Sequence, residues 1–420
     1  MIVMRGLLIL TQALFLLYST VLSPSGGQLD KLRFLCYGLI IGYGLFLSLN
    51  TGFRKPRALD LVAISLLLFA FLSHYYSINP QLTVERSSVN LLIYLAVFWG
   101  LWAACRTPAE AVQLLRSLLF VWICFYIVNI AFVFIHPGEA FNISNREAFS
   151  EGYSRFRGAT VNPNAIGNFS AIILPIALWN LHQKKNLINA FFFGAVVFSF
   201  FFSFSRNAFI CSVIGASLYL YLTIRRGRLL LVVIAVISIG LMILYADVLS
   251  HHLPEALLRS QSMDKLGGRS EAWQVALELI KKKPLLGHGF GTEDLLFDYY
   301  GIRFEIHSGS YAHNSFLGLA LQLGWVAACV MYLSFVVFFL KSFLKTRRLK
   351  TGPNFLRTLT IALYASCFSG FWTTLFESWL YAPGGIIAFP FFVCLMLLMR
   401  LLDFQKTTLS PQATHVRHRG

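Results

Sequence analysis

Residues 187–224 read LINAFFFGAVVFSFFFSFSRNAFICSVIGASLYLYLTI, and Arg206 is their one charged side chain. A helix needs roughly 17–25 apolar residues to cross a hydrocarbon core of about 30 Å. The stretch is long enough for two such helices, 187–204 and 207–224, joined through Ser203-Phe-Ser-Arg-Asn-Ala208 with almost no loop. Arg206 then sits at or below the outer membrane–water interface. An ionisable group there is costly and marks function by default, although an arginine can also snorkel to headgroups. Its paired donors make it a natural partner for a phosphate or pyrophosphate.

The rest of the chain has the same character. Of 420 residues, 57% are hydrophobic and 13% charged, and 40 are Phe; the mean hydropathy is +0.67. This composition argues against a soluble domain and predicts an all-α, polytopic membrane protein. Twelve apolar runs can be drawn, at about 6–22, 32–50, 59–76, 89–104, 111–135, 162–181, 187–204, 207–224, 229–246, 314–340, 355–374 and 384–403. The formal charge of +17 does not call for nucleic acid, because loop Lys and Arg orient membrane helices and meet anionic lipid. The seven Cys form no CxxC pair and read as small buried hydrophobes, with neither disulfides nor a zinc site. The apolar N-terminus is read as a retained first helix.

Charge sets the orientation. Alternate loops carry Arg54, Lys55 and Arg57, then Arg106, Lys184 and Lys185, then Arg225, Arg226 and Arg228, then Lys341 to Lys350, ending in a basic tail. Residues 23–30, 77–88 and 375–383 hold little positive charge. Both termini are therefore expected in the cytoplasm. One transmembrane domain, 1–403, is predicted, with outer loops 137–161 and 247–313 and a basic tail, 404–420. No inverted repeat is visible, and ionisable groups cluster at one face, which weakens a transporter of lipid-linked sugars.

Four stretches could carry chemistry. Arg155-Phe-Arg-Gly-Ala-Thr-Val-Asn-Pro-Asn164 opens the sixth helix, and Asn162 can cap it. Arg155, Arg157 or Asn164 there could contact an anionic or sugar group. Ser203–Ala208 brings Arg206. Residues 267–291, GGRSEAWQVALELIKKKPLLGHGFG, predict an amphipathic helix that begins at Arg269, rests on the membrane and stops at Pro284. Arg269 would lie at its N-terminus, where anions bind. The Gly287, Gly289 and Gly291 run lacks a strand–turn–helix context and reads as a flexible turn. Finally, HNSFLGLALQLG at 313–324 places His313 and Asn314 at the outer end of the tenth helix. His313 can accept a proton near neutral pH; His307, Glu293, Asp294 and Glu305 compete as bases. The outer loops show no carboxylate cluster with metal spacing, so no metal and no cofactor are expected.

In this order, the four motifs resemble the O-antigen ligase family of bacterial envelope proteins, whose wider superfamily includes O-antigen polymerases. The resemblance covers the organisation of nearly the whole chain: about twelve helices and one large periplasmic loop carrying short amphipathic helices. It departs after Gly324, where Ala327 replaces a second glycine. The resemblance implies an inner-membrane glycosyltransferase of lipopolysaccharide biosynthesis with a periplasmic active site, independent of metal and inverting. Its donor would be a glycan on undecaprenyl diphosphate and its acceptor a lipid A-core sugar hydroxyl or another glycan. Arg206 and Arg269 match the arginines that hold the diphosphate, and His313 matches the histidine acting on the acceptor. The alternative is a polymerase joining lipid-linked repeat units.

Overall fold

The computed structural model describes residues 1–23, 28–141, 155–224, 269–302, 311–349, 354–382 and 384–407. Several expectations fall outside these residues: the run at 229–246 with its basic flank, the parts 247–268 and 303–310 of the loop 247–313 with Glu305 and His307, residues 142–154, and the tail from 408.

The described residues form helices joined by short links, with no strand among them. In chain order the helices are α1 (Ile2–Tyr18), α2 (Gln28–Thr51), α3 (Ala58–Leu72), α4 (Pro80–Ala104, with a wider turn over Ala96–Leu101) and α5 (Pro108–Ile135). They continue with α6 (Pro163–Gln183), α7 (Leu187–Phe202), α8 (Arg206–Thr223), α9 (Arg269–Lys282) and α10 (Glu293–Tyr299), then α11 (Ser315–Arg348), α12 (Asn354–Thr373) and α13 (Ala388–Thr407). Eleven of the twelve expected runs coincide with helices.

Among the described residues, seven helices are long and apolar enough to cross a membrane: α2, α3, α4, α5, α6, α11 and α13. The protein is therefore a multi-pass membrane protein. Of the other five expected spans, the run at 229–246 lies outside the described residues. α1 and α7 are shorter than 18 residues, and α8 and α12 carry polar side chains such as Asn207, Ser212, Arg357 and Thr358. An exposed apolar stripe runs down α11 through Val326, Val330, Leu333, Val337 and Leu340, the spacing of one helical face. Two cysteines, Cys124 and Cys329, are exposed rather than buried.

At the centre lies α6, buried along most of its length and packed on α7, α8 and α12. Phe169 of α6 stands edge-on to Trp122 and Phe125 of α5, at 6.0 and 5.8 Å, and stacks on Tyr126. Helices packed in lipid gain little from water exclusion, so such close ring contacts supply the attraction.

A second core lies under α9. Ala276, Leu279 and Ile280 of α9 are buried against α11 and the segment leading to it, with Phe290, Leu296 and Phe297. Arg269 is the first described residue of α9, and the helix's apolar face is spent on protein rather than on the membrane surface.

The glycine run after it is a docked segment, not a flexible turn. α11 is broken at Gly324, whose φ of 81° lies outside the helical range. Chain breaks of this kind free carbonyls for outside donors. His288 N–H donates to Leu321 O at 2.9 Å, Gly289 N–H to Gln322 O at 3.0 Å, and Trp325 N–H to Pro284 O at 2.8 Å. Gly287, Gly289 and Gly291 all have positive φ, and a Cβ on Gly287 would lie 2.3 Å from the Gln322 carbonyl carbon. The spacing GxGxG thus serves a close backbone approach.

A Cβ on Gly324 would meet Leu285 O at 2.3 Å. Gly324→Ala is expected to cost about 1–3 kcal/mol from backbone strain alone, lowering the thermal unfolding midpoint in detergent. Gly138→Ala, with open space around it, should leave the midpoint unchanged. Equal midpoints for both variants would contradict the break.

Candidate active site at one end of the bundle

The ends of α7 and α12 and the starts of α6, α8, α9 and α11 meet at one end of the molecule. Each terminus is fixed by local bonds. Asn162 accepts from Asn164 N–H at the start of α6, and Ser205 accepts from Ala208 N–H at the start of α8. Asn314 accepts from Phe316 and Leu317 N–H at 2.9 and 3.0 Å, capping α11. The link after α12 is laced to this cap. Ser315 N–H donates to Thr374 O at 2.7 Å, Ser315 hydroxyl to Glu377 O at 2.6 Å, and Asn314 N–H to Ser378 Oγ at 3.1 Å.

These bonds hold Glu377 against His313. His313 Nδ1 faces Glu377 Oε2 at 3.3 Å, and Arg269 Nη2 donates to Glu377 Oε1 at 2.8 Å. The three side chains are only 15–21% exposed. Burial alone would raise the Glu377 pKa, but the His313 bond and the Arg269 charge outweigh it and hold the carboxyl below its ordinary value. Asn168 of α6 also bonds the carboxylate, and Asn207 Nδ2 donates to Asn168 Oδ1 at 3.1 Å. Asn207 follows Arg206, so the start of α8 is tied to the same carboxylate through two amides.

His313 has φ of 47°, and so does Phe204, two residues before Arg206; among the described residues they are the two non-glycine residues at positive φ. Strained backbone of this kind persists where the surroundings over-determine it and clusters at functional sites. Trp273 Nε1 donates to Ala312 O at 2.8 Å and fixes α9 to the residue before His313.

Behind His313 lies a second carboxylate, Glu293, 2% exposed. It accepts from Ala312 N–H at 2.8 Å, Ser378 hydroxyl at 3.0 Å and the Tyr381 hydroxyl. Gln322 Nε2 approaches it at 3.4 Å, while its Oε1 accepts from Gly291 N–H at 2.6 Å. Burial, the largest influence, pushes the Glu293 pKa up despite these bonds. Asp294 is spent on a two-bond pair with Arg86 of α4, both at 2.7 Å.

The expected residues are thus partly assembled. Arg269 and His313 share one carboxylate, and Arg206 is the chain neighbour of Asn207 in the amide relay. Arg155 is buried; its Nε donates to Ser203 O at 2.9 Å and its Nη2 to Asn164 Oδ1, so Arg155 and Asn164 brace the α7–α8 junction. Arg157 points elsewhere, to Glu139 O at 2.7 Å. Glu377 was not anticipated. The available signal was one carboxylate in a short link between two apolar helices, FWTTLFESWLYAPGG at 371–385.

Residues 190–332 match the family model described as O-antigen ligase. The matched part, about a third of the chain, contains Arg206, Arg269 and His313, and it bears out the resemblance read from the motifs. No curated protein matches the chain.

Because the folded pKa of Glu377 is depressed, its ionised form contributes stability that is fully present above the ordinary carboxylate value of 4.5 and lost as pH falls through the folded value. The difference in unfolding midpoint between the native protein and Glu377→Gln should be largest near neutral pH and shrink as the pH is lowered below 4.5. A difference independent of pH would contradict the pairing.

Proposed function

We propose that the protein is an O-antigen ligase-type glycosyltransferase, moving a glycan from undecaprenyl diphosphate to a sugar hydroxyl of a lipid A-core or similar acceptor. The observation that carries this reading is the convergence of Arg269 and His313 on Glu377, inside the segment matching the O-antigen ligase model for two of the three.

With its Nδ1–H donated to Glu377, His313 presents Nε2 as the proton acceptor. The acceptor oxygen attacks the anomeric carbon as its proton passes to Nε2. The bond from that carbon to the diphosphate oxygen breaks, and its electron pair leaves with the diphosphate. Arg269 and Arg206 offset the charge that develops there. One bond to Glu377 leaves Arg269 with further N–H donors for a second anion. Direct displacement inverts the anomeric centre. Glu377 acts as a positioning residue, fixing the imidazole tautomer and holding Arg269 in place. In this scheme Arg157 and Asn314 contact the substrate, and Arg155 and Asn164 act on it through the backbone they brace.

Basic residues gather at the opposite end of the bundle, among them Arg54, Arg57, Lys184, Lys341 and Arg348. This supports a cytoplasmic location for that end and for both termini, with the site in the periplasm of an inner membrane.

In proteoliposomes supplied with undecaprenyl diphosphate-linked glycan and rough lipopolysaccharide, Arg269→Ala and His313→Ala should each cut transfer by about 100-fold or more. Glu377→Gln should lower it by about 10–100-fold. Full transfer by both alanine variants would refute the scheme. Lipopolysaccharide gels separate the polymerase reading: cells without the protein should lose every O-antigen band, whereas a core bearing a single repeat would favour polymerisation.

A further inference from the structure

A cleft of about 770 Å³ opens beside the proposed centre, between α2 and α4 on one side and the links around Glu293, Tyr311 and Ser378 on the other. Its size is that of a site for a small organic ligand. Two of its residues are close in sequence to the reacting groups: Ser378 follows Glu377, and Tyr311 lies two residues before His313. The cleft changes character along its walls. Phe34, Val89 and Leu92 make one part apolar, while Glu85, Glu293, Tyr311 and Ser378 make the other polar.

Charge decides which substrate fits. A diphosphate needs a surplus of cationic partners, and this cleft sets Glu85 and Glu293 against its two arginines, Arg33 and Arg86. Arg86 is paired through two bonds with Asp294, and the Arg33 guanidinium lies 4.0 Å from the Tyr18 ring centroid. Carboxylates, hydroxyls and an amide line the polar part, which are the partners of neutral sugar hydroxyls. The apolar part suits an attached hydrocarbon. Resting on the glycosyl-transfer reading above, we propose that this cleft seats the acceptor, a membrane-anchored glycan, and that the donor diphosphate occupies the separate arginine side of His313. The glycan lies among Glu85, Tyr311 and Ser378, and the hydrocarbon follows Phe34, Val89 and Leu92. The hydroxyl to be glycosylated reaches His313 past Ser378.

Val89→Trp fills the cleft and Glu85→Ala strips a polar contact, while Val336→Trp on the exposed face of α11 is the control. Full-length protein is titrated separately with undecaprenyl diphosphate-linked glycan and with two acceptors, rough lipopolysaccharide and a polyprenyl-linked repeat unit. Val89→Trp should raise acceptor KM by about tenfold or more and Glu85→Ala by about threefold, with donor KM moving less than twofold; Val336→Trp should change neither. The acceptor that responds identifies the hydrocarbon source. A rise in donor KM alone, or no change in either constant, would overturn the proposal. Direct binding of each acceptor to detergent-solubilised protein is measured in parallel. If the native protein transfers nothing, the transferase reading fails; acceptor binding lost in Val89→Trp would still uphold the cleft, and binding retained would overturn it.

Discussion

A carboxylate drawn out of water must be compensated, and Glu377 meets that demand with a guanidinium, an imidazole and an amide. The same bonds that offset its burial bring together residues far apart in the chain. His313 is 64 positions away and Arg269 is 108. A largely buried ion pair of this sort spends most of its attraction on offsetting desolvation and adds little to stability by itself. Its consequence is geometric: three helix ends are fixed relative to one anionic point, and a strained histidine is held there.

The surrounding backbone is built to permit that arrangement. The break at Gly324 exposes carbonyls that the Gly287–Gly291 segment satisfies, and this seats α9 and α10 on α11. Glu293, buried beneath, bonds the backbone next to His313 and the hydroxyl of Ser378 next to Glu377. Two carboxylates with opposed pKa shifts therefore stand back to back. One is held ionised by the His313 bond and the Arg269 charge, and the other is pushed towards its neutral form by burial. The first faces the arginine side of the site and the second faces the cleft lined by α2 and α4.

Much of this architecture could be read from the chain alone, because crossing a membrane imposes length and apolarity on each helix. The junction at Ser203–Ala208 and the cap at Asn162 stand where their residue types predict. The polar start of α4 was missed: it begins at Pro80, ahead of the apolar run, with Glu85 and Arg86 facing the cleft and its neighbours. The role of the glycines at 287–291 was also hidden, since it depends on a break in a helix some thirty residues later. Glu377 illustrates the general limit. A single carboxylate in a short loop acquires meaning from a partner brought in by tertiary packing, and nothing in its local sequence names that partner. The apolar face of α9 misled for the same reason, since amphipathicity marks a buried face without saying whether lipid or protein covers it.

The central claim is that glycosyl transfer is organised around the Glu377 carboxylate at one end of the bundle. The most direct test is an electron cryomicroscopy structure of the protein in lipid nanodiscs with a non-reactive undecaprenyl diphosphate–sugar analogue. The account predicts the diphosphate on Arg269 and Arg206, with His313 still bonded to Glu377 through Nδ1 and its Nε2 turned towards the anomeric carbon. A diphosphate seated at the opposite, basic end of the bundle, or one bound with His313 and Glu377 apart, would contradict it.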